Sequence, residues 1–149
     1  MFLLLASTIC AGLFCGAALY VNLVEHPARM SCGQELAVRE FAFSYRRAAI
    51  IQVSLALVGL VLGLAAAWQL PDAWIATGAV LLVASILFTL AFILRTNKRL
   101  LDPLFDLQSV RVAKLLARWN RLHAVRTVLS AVAFALLLRC LAGFHGKTW

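Results

Sequence analysis

Charged residues are scarce in this chain of 149 residues, at 13% of the total, while hydrophobic residues make up 64%. A water-soluble domain is roughly half apolar, so this composition excludes an ordinary soluble protein. The mean hydropathy of +0.93 instead indicates a single domain, residues 1–149, that lies in a lipid bilayer.

Ionisable side chains are almost absent from four apolar runs, and only His123, Arg126 and Arg139 lie near the ends of the last one. Each run is close to the roughly 20 residues that a helix needs to cross the hydrocarbon core. The runs cover about residues 2–23, 48–68, 73–94 and 122–142. The sequence therefore predicts an all-α bundle of four transmembrane helices.

Signals for processing and for redox chemistry are also missing. The first run has no basic leading segment and no small-residue cleavage site, so we expect a retained helix rather than a secretory signal. The four cysteines, Cys10, Cys15, Cys32 and Cys140, form no Cys-x-x-Cys pair. We therefore expect buried free thiols rather than redox chemistry.

Acidic residues are few: six Asp and Glu against 14 Lys and Arg give a formal net charge of +8. The basic residues gather in the connections after the first and third runs, whereas residues 69–72 contain none. The positive-inside rule then predicts that these two connections are cytoplasmic and both termini outside, in an inner or plasma membrane. The basic residues therefore indicate first how the chain is oriented in the membrane. Contact with anionic lipids is a secondary role for them. Without a recognised motif, they do not predict nucleic-acid binding.

Proline occurs three times, and each occurrence marks a predicted boundary. Pro27 predicts a kink or stop of helix one around Glu25, because its ring removes a backbone donor and crowds the preceding turn. Pro71-Asp72 predicts the tight outer turn, and Asp102-Pro103 predicts a helix start. Helices two and four are predicted to extend into the cytoplasm, with helix two on the order of 50 Å long.

Glycine is also sparse, yet two pairs have the small-xxx-small spacing, Gly12 with Gly16 and Gly59 with Gly63. This spacing lets helix backbones approach closely in lipid. It predicts a tight bundle without identifying the partner face.

The few polar residues of the apolar segments converge on one end of the predicted bundle. Tyr45, Arg46 and Gln52 of helix two lie at a similar depth. The other segments contribute Asn22, Glu25, His26 and Arg29 from helix one, Thr96 and Asn97 from helix three, and Trp119, His123 and Arg126 from helix four. Ionisable residues inside a membrane are costly, face the bundle interior and usually pair with one another.

Spacing alone leaves two interpretations of this cluster open. In a structural lock, Glu25 pairs with Arg126 or Arg46, while Tyr20 and Trp119 anchor the bundle at the membrane interface. In a chemical site, a carboxylate and two imidazoles share a proton, and the arginine and asparagine side chains stabilise an oxyanion.

A metal site is a further alternative. Glu25, His26 and His123 have the ligand types of a site with two histidines and one carboxylate. Glu25 and His26 are adjacent, so both can bind one ion only where the backbone is irregular, which Pro27 permits.

Three of these segments resemble the anthrone oxygenase-like family of small four-helix membrane proteins. They are Gly16–Arg29, the Thr96-Asn97 helix ending with Leu100, and Trp119–Arg126, and the resemblance extends over nearly the whole chain. It implies oxidation of anthrones to anthraquinones with molecular oxygen and no organic cofactor. One departure is Arg95, which stands where family members often have proline.

For such a reaction we assign roles on chemical grounds. Glu25 or His26 would remove a proton from the acidic ring methylene of a hydrophobic, anthrone-like substrate that enters from the lipid, and His123 would relay protons. The resulting carbanion can react with oxygen directly, so no cofactor is required. A single non-haem metal ion is the alternative.

The remaining residues of the predicted site stabilise the anion or contact the substrate. Arg126, Asn97 and Asn22 would stabilise the phenolate-type anion. The predicted substrate contacts are Tyr20, Asn22, Arg29, Tyr45, Arg46, Thr96, Asn97 and Trp119.

A non-enzymatic membrane protein is the competing hypothesis, either a subunit of a larger assembly or homo-oligomer, or a carrier of small ligands. A tightly packed cluster without a pocket would favour this hypothesis. A lipid-accessible cavity lined by Glu25, His123 and Arg126 would favour the enzyme.

Overall fold

The computed structural model describes residues 1–102 and 110–145, and every regular element in these ranges is a helix. The four long helices are α1 (Phe2–Ser31), α2 (Gln34–Gln69), α3 (Ala73–Leu100) and α4 (Val110–His145). Each contains a stretch that is long and apolar enough to cross a membrane. The predicted all-α fold is confirmed and is compatible with an integral membrane protein, while the orientation in the membrane stays a prediction.

The connections between the helices follow simple backbone chemistry. Gly33 precedes α2 with a φ of 92°, a conformation that glycine adopts without steric cost. Asp72 caps α3, because its Oδ1 accepts a hydrogen bond from the backbone N–H of Trp74 at 2.8 Å. The turn predicted at Pro71-Asp72 thus leads directly into α3. The helix start predicted at Pro103 lies outside the described residues.

Helix α1 does not stop at Pro27. Residues Val21–Glu25 form a π-helical turn, and α-helix resumes over His26–Ser31. Pro27 offers no backbone N–H to the preceding turn, and a π-turn is a local irregularity that a helix can absorb without ending. Of the two outcomes predicted around Glu25, a stop is therefore wrong.

A second π-helical turn, Thr89–Ile93, interrupts α3. It contains neither proline nor glycine, so no residue in it predicted the irregularity. Since α1 and α3 run in the same direction, both π-turns lie at the same end of the bundle.

Consecutive helices pack against each other, and α4 closes the bundle against α1. The buried core divides into two clusters. One, with Leu4, Leu82 and Leu137 at its centre, we call the glycine half because Gly59, Gly63 and Gly78 pack around it. The other contains both π-turns and is called the polar half, and its buried apolar residues include Val21, Phe41, Ile93, Leu100 and Trp119.

Helix backbones approach closely in the glycine half. A Cβ atom built on Gly63 would lie 2.6 Å from the Cβ of Ala79, and one on Gly59 would lie 2.7 Å from Cδ1 of Leu82. The pair in α1 differs: Gly12 faces the ring of Phe134 at 3.1 Å, whereas Gly16 has open space around its Cβ position among the described residues. The predicted close packing thus holds for Gly59 and Gly63.

Helices α2 and α3 separate in the polar half. α2 packs along Ala73–Phe88, but it makes few contacts with Leu94–Leu100, which packs on α4 instead. The divergence begins where the π-turn of α3 lies, and it leaves a space between the two helices.

The cysteines are unpaired, as expected. Cys15 and Cys140 are buried and Cys10 is partly buried, but Cys32 is exposed.

Candidate functional site

The space between the diverging helices is a cavity of about 120 Å³ in the polar half. All four helices contribute to its wall. The polar lining residues are Glu25 and Arg29 from α1, Ser44, Tyr45 and Gln52 from α2, Thr89 and Asn97 from α3, and Trp119, His123 and Arg126 from α4. The cavity predicted for an enzyme, lined by Glu25, His123 and Arg126, is therefore present.

Both π-turns supply part of this wall. Val21 and Glu25 come from the turn in α1, and Thr89, Leu90 and Ile93 come from the turn in α3. Single π-turns inside α-helices are found frequently at functional sites. Their joint presence at one cavity is consistent with a binding role for this end of the bundle.

We place the mouth of the cavity between α2 and α3, from the lining residues that are exposed. Two of its lining residues, Val53 on α2 and Leu90 on α3, are also exposed on the outer surface of the bundle, by 39% and 56%. Both side chains lie on helices long and apolar enough to cross a membrane, so this mouth faces the lipid in the predicted bilayer arrangement.

Arg29 is the most heavily engaged charge at the site. It forms ion pairs with Glu25 and with Glu40, whose Oε2 lies 2.8 Å from the Arg29 Nε. Its Nη2 also donates to the Oγ of Ser44 at 3.3 Å. The structure therefore pairs Glu25 with Arg29, rather than with Arg46 or Arg126 as the structural-lock hypothesis expected.

Aromatic rings pack against the guanidinium of this ion cluster, and one of them belongs to α4. The Arg29 guanidinium lies 5.8 and 5.9 Å from the ring centres of Phe41 and Trp119. Trp119 in turn lies between two imidazoles, with ring centres 5.6 Å from His26 and 4.8 Å from His123. These contacts bury the charged group against ring faces, which favours a cation.

Trp119 also fixes Asn97. The indole Nε1–H donates to the Oδ1 of Asn97 at 2.9 Å, and both residues are buried. The Nδ2 of Asn97 is buried without a hydrogen-bond partner among the described residues. A buried donor of this kind usually has a partner, so Asn97 has hydrogen-bonding capacity left for a ligand in the cavity.

Arg126 differs from Arg29 because no carboxylate in the described part of the chain pairs with it. Its Nη2 donates to the Oε1 of Gln52, and its guanidinium lies 5.0 Å from the ring centre of Phe14. Its Nε is buried and lacks a hydrogen-bond partner within the described ranges. The wall of the cavity therefore carries a cation that no carboxylate among residues 1–102 and 110–145 pairs with.

His123 belongs to a network that lies behind the cavity wall. Its Nδ1 lies 2.9 Å from the Oδ1 of Asn22, which also accepts a hydrogen bond from the Oγ1 of Thr127 at 2.5 Å. The Nδ2 of Asn22 donates to the Oδ1 of Asn120 at 2.7 Å and to the backbone oxygen of the same residue at 3.3 Å. Asn22 thus supports His123 and does not itself line the cavity.

The predicted site residues all lie in the polar half, but only some reach the cavity. Tyr20 and Arg46 are exposed on the outer surface, and His26 and Thr96 are buried outside the cavity wall. The polar residues of α1 point to different partners, since Asn22 contacts α4 while Glu25 and Arg29 line the cavity.

Four participants were not identified from the sequence. They are Glu40, Ser44, Asn120 and Thr127. Glu40 and Ser44 are four residues apart and therefore share a face of α2. That spacing was visible, but which face of α2 meets Arg29 depends on the bundle geometry.

The alternative metal ligands do not form a metal-binding group in this structure. Within residues 1–102 and 110–145, no three or more His, Cys, Asp or Glu side chains lie close enough together to hold a metal ion. His26 and His123 each pack against Trp119, with ring centres 5.6 and 4.8 Å from it, and Glu25 is ion-paired with Arg29.

Comparison with known proteins gives one match. The sequence profile of a family described as anthrone oxygenase matches residues 41–136, well over half of the chain. The matched range contains the Thr96-Asn97 and Trp119–Arg126 segments, whereas Gly16–Arg29 precedes it. No curated protein and no solved structure matches the chain.

Proposed function

The chain belongs to the anthrone oxygenase family, and we propose that it is a membrane oxygenase acting on a hydrophobic, enolisable aromatic substrate with molecular oxygen. The observation that carries this proposal is the cavity whose wall combines an imidazole, a carboxylate and Arg126, an arginine that no carboxylate of the described residues pairs with. Such a site can accept an apolar molecule and stabilise negative charge on it.

His123 is the best-supported base. It lines the cavity, whereas His26 does not. Glu25 lines the cavity too, but its carboxylate is already engaged by Arg29. We therefore assign proton abstraction to His123, which the sequence analysis had assigned as a relay, and we assign to Glu25 the onward transfer of that proton.

Arg126 and Asn97 would stabilise the anion that forms. Arg126 brings a positive charge with no carboxylate partner in the described chain, and Asn97 brings a free N–H group. Donors that are already oriented towards developing charge need little reorganisation during the reaction. The substrate oxygen that becomes negative on proton loss would lie against these two side chains.

The overall reaction balances without a further reactant. His123 removes one proton from the ring methylene, and the electron-rich carbon reduces oxygen to form a carbon–oxygen bond and a substrate hydroperoxide. Loss of the second methylene proton, with cleavage of the oxygen–oxygen bond, leaves a ketone and releases water. One oxygen atom enters the product, the other becomes water, and four electrons pass from carbon to oxygen. No metal or organic cofactor enters this proposal.

Substrate would enter from the lipid through the mouth at Val53 and Leu90. Ligand sites generally measure roughly 300–1,000 Å³, so a cavity of about 120 Å³ would hold one edge of a fused-ring substrate while the rest lies in the mouth. With the first and third connections cytoplasmic, as the basic residues predict, substrate would be taken from the cytoplasmic leaflet.

Oxygen consumption by the purified protein in detergent, with a simple anthrone as substrate, tests the proposal. We expect turnover above the uncatalysed rate, one labelled oxygen atom in the quinone from ¹⁸O₂, and loss of turnover in Arg126→Gln. Arg46→Gln is the matched control, because it removes an exposed arginine outside the cavity wall. A wild-type rate equal to background would contradict the proposal, and elemental analysis of the same sample tests the single-metal alternative.

The competing structural hypothesis is favoured by one observation, the Arg29 cluster. Arg29 is 94% buried and its charge is compensated by two carboxylates, as expected for a lock within a bundle or a larger assembly. If the anthrone assay stays at background while Arg29→Met lowers thermal stability, the polar half has a structural role.

A further inference from the structure

We infer that Asn22 and Asn120 are positioning residues that fix the protonation pattern of His123. The inference deepens the proposed function, because it concerns the residue assigned as base. It rests on hydrogen-bond geometry alone and therefore holds whether or not the anthrone assay succeeds.

The backbone oxygen of Asn120 orients the Asn22 amide. This atom can only accept hydrogen bonds, and it lies 3.3 Å from one terminal atom of the Asn22 amide. Assignment of that atom as the donor, Nδ2, gives the backbone oxygen a partner. The same atom lies 2.7 Å from the Oδ1 of Asn120, so both hydrogens of the amide have an acceptor on one residue.

With Nδ2 directed at Asn120, the oxygen of the Asn22 amide faces the other way. It lies 2.9 Å from Nδ1 of His123 and accepts from the Oγ1 of Thr127 at 2.5 Å. An amide oxygen has two lone pairs and no hydrogen, so Nδ1 of His123 must carry the proton. In the neutral ring, the second nitrogen, Nε2, then has a free lone pair.

Burial supports this assignment on the side of the ring, where His123 is 97% buried and Thr127 is 93% buried. An Asn22 amide turned the other way would set its oxygen against the backbone oxygen of Asn120, which can only accept, and would turn its N–H₂ group towards Nδ1 of His123. His123 lines the cavity while Asn22 does not, so Nε2 is the nitrogen available to a substrate proton.

Nitrogen-15 NMR of the full chain in detergent micelles, with labelled histidine, tests the inference. Wild type should give a pyridine-type Nε2 and a protonated Nδ1 for His123, identified by the loss of its signals in His123→Gln. Asn22→Leu removes the acceptor and should move the proton of His123 to Nε2. Ser130→Ala is the control, because Ser130 is buried on the same helix and donates to the Thr127 backbone oxygen rather than to Asn22 or His123.

Activity gives the second measurement. If His123 is the base, Asn22→Leu should lower oxygen consumption at least about tenfold, since general-base catalysis contributes roughly 10²–10⁴. Asn120→Leu leaves the backbone acceptor in place, so it should give a mixture of the two ring forms and a smaller loss.

The outcomes separate this inference from the proposed function. A wild-type His123 with its proton on Nε2, or an Asn22→Leu spectrum identical to wild type, overturns the positioning role even in an active enzyme. The expected spectra in a protein that never consumes oxygen support the positioning role and count only against the oxygenase. If Asn22→Leu does not fold, the wild-type and Asn120→Leu spectra decide.

Discussion

The two halves of the bundle are packed by opposite means. In the glycine half, backbones approach until a methyl group on Gly63 would lie 2.6 Å from the Cβ of Ala79. In the polar half, two π-turns and the divergence of α2 from α3 leave a cavity of about 120 Å³. The comparison indicates that close packing holds the helices together at one end, which allows the other end to keep space for a ligand.

Among the variants that test the difference between the two halves, His123→Gln is expected to have the largest effect, a loss of activity. Removing the assigned base should lower anthrone-dependent oxygen consumption by roughly 10²–10⁴. Stability should change by only about 1 kcal/mol, because one hydrogen bond to Asn22 is altered. Initial rates and thermal unfolding of the same preparations measure both, with Ser130→Ala as control. Equal losses of rate in the two variants would remove His123 from the chemistry.

The next largest effect tests whether the polar half also contributes to stability. Arg29→Met leaves Glu25 and Glu40 without their cation and should lower the free energy of unfolding by about 3 kcal/mol. This value is at the low end for a buried ion pair, because Glu40 is 39% exposed. Arg39→Met, which breaks an exposed pair with Glu35, should cost under about 1 kcal/mol. Unfolding by denaturing detergent measures both. Similar losses of unfolding free energy in the two variants would contradict a structural role for the Arg29 cluster.

A smaller effect is expected from overpacking the glycine half. Gly63→Ala brings a methyl group against Ala79 and should destabilise the bundle by about 1–3 kcal/mol. Gly16→Ala adds the same methyl group where the described chain leaves open space, so it should be nearly neutral. The same unfolding titration compares them, and a neutral Gly63→Ala would show that this half can expand.

The smallest predicted effect concerns the mouth of the cavity. Leu90→Trp should narrow the opening and raise the KM for an anthrone several-fold with little change in kcat, because it hinders binding rather than chemistry. Leu87→Trp is the matched control, since Leu87 is equally exposed on α3 but does not line the cavity. Parallel rises in KM for both variants would argue against entry between α2 and α3.

Composition and periodicity were sufficient to predict the helices and the end at which polar residues gather. Apolar runs report directly on burial in lipid, so the four helices and the grouping of Glu25, His123 and Arg126 followed from one-dimensional information. The family resemblance added the expected chemistry. The family profile that matches residues 41–136 supports that resemblance.

Partner choice could not be read from the same information. The sequence analysis paired Glu25 with Arg126 or Arg46, whereas the structure pairs it with Arg29, four residues along the same helix. Glu40 and Asn120 lie on α2 and α4, so their roles depend on which helix faces meet. Tyr20 was predicted as a site residue because it is close to the others in sequence, but it is exposed on the outer surface.

The π-turn in α3 has a consequence for how this chain tolerates changes in length. A π-turn holds one residue more than a regular α-helical turn, so deletion of one residue from Thr89–Ile93 would convert it to an α-turn and leave the helix after it in phase. Asn97 would then still accept the hydrogen bond from the Trp119 Nε1–H, which now measures 2.9 Å. We therefore expect deletion of Ala91 to leave the indole N–H resonance of Trp119 nearly unchanged, and a large shift would contradict this. The segment can take up a one-residue change in length that a regular α-helix would pass on to the site as a rotation of about 100°.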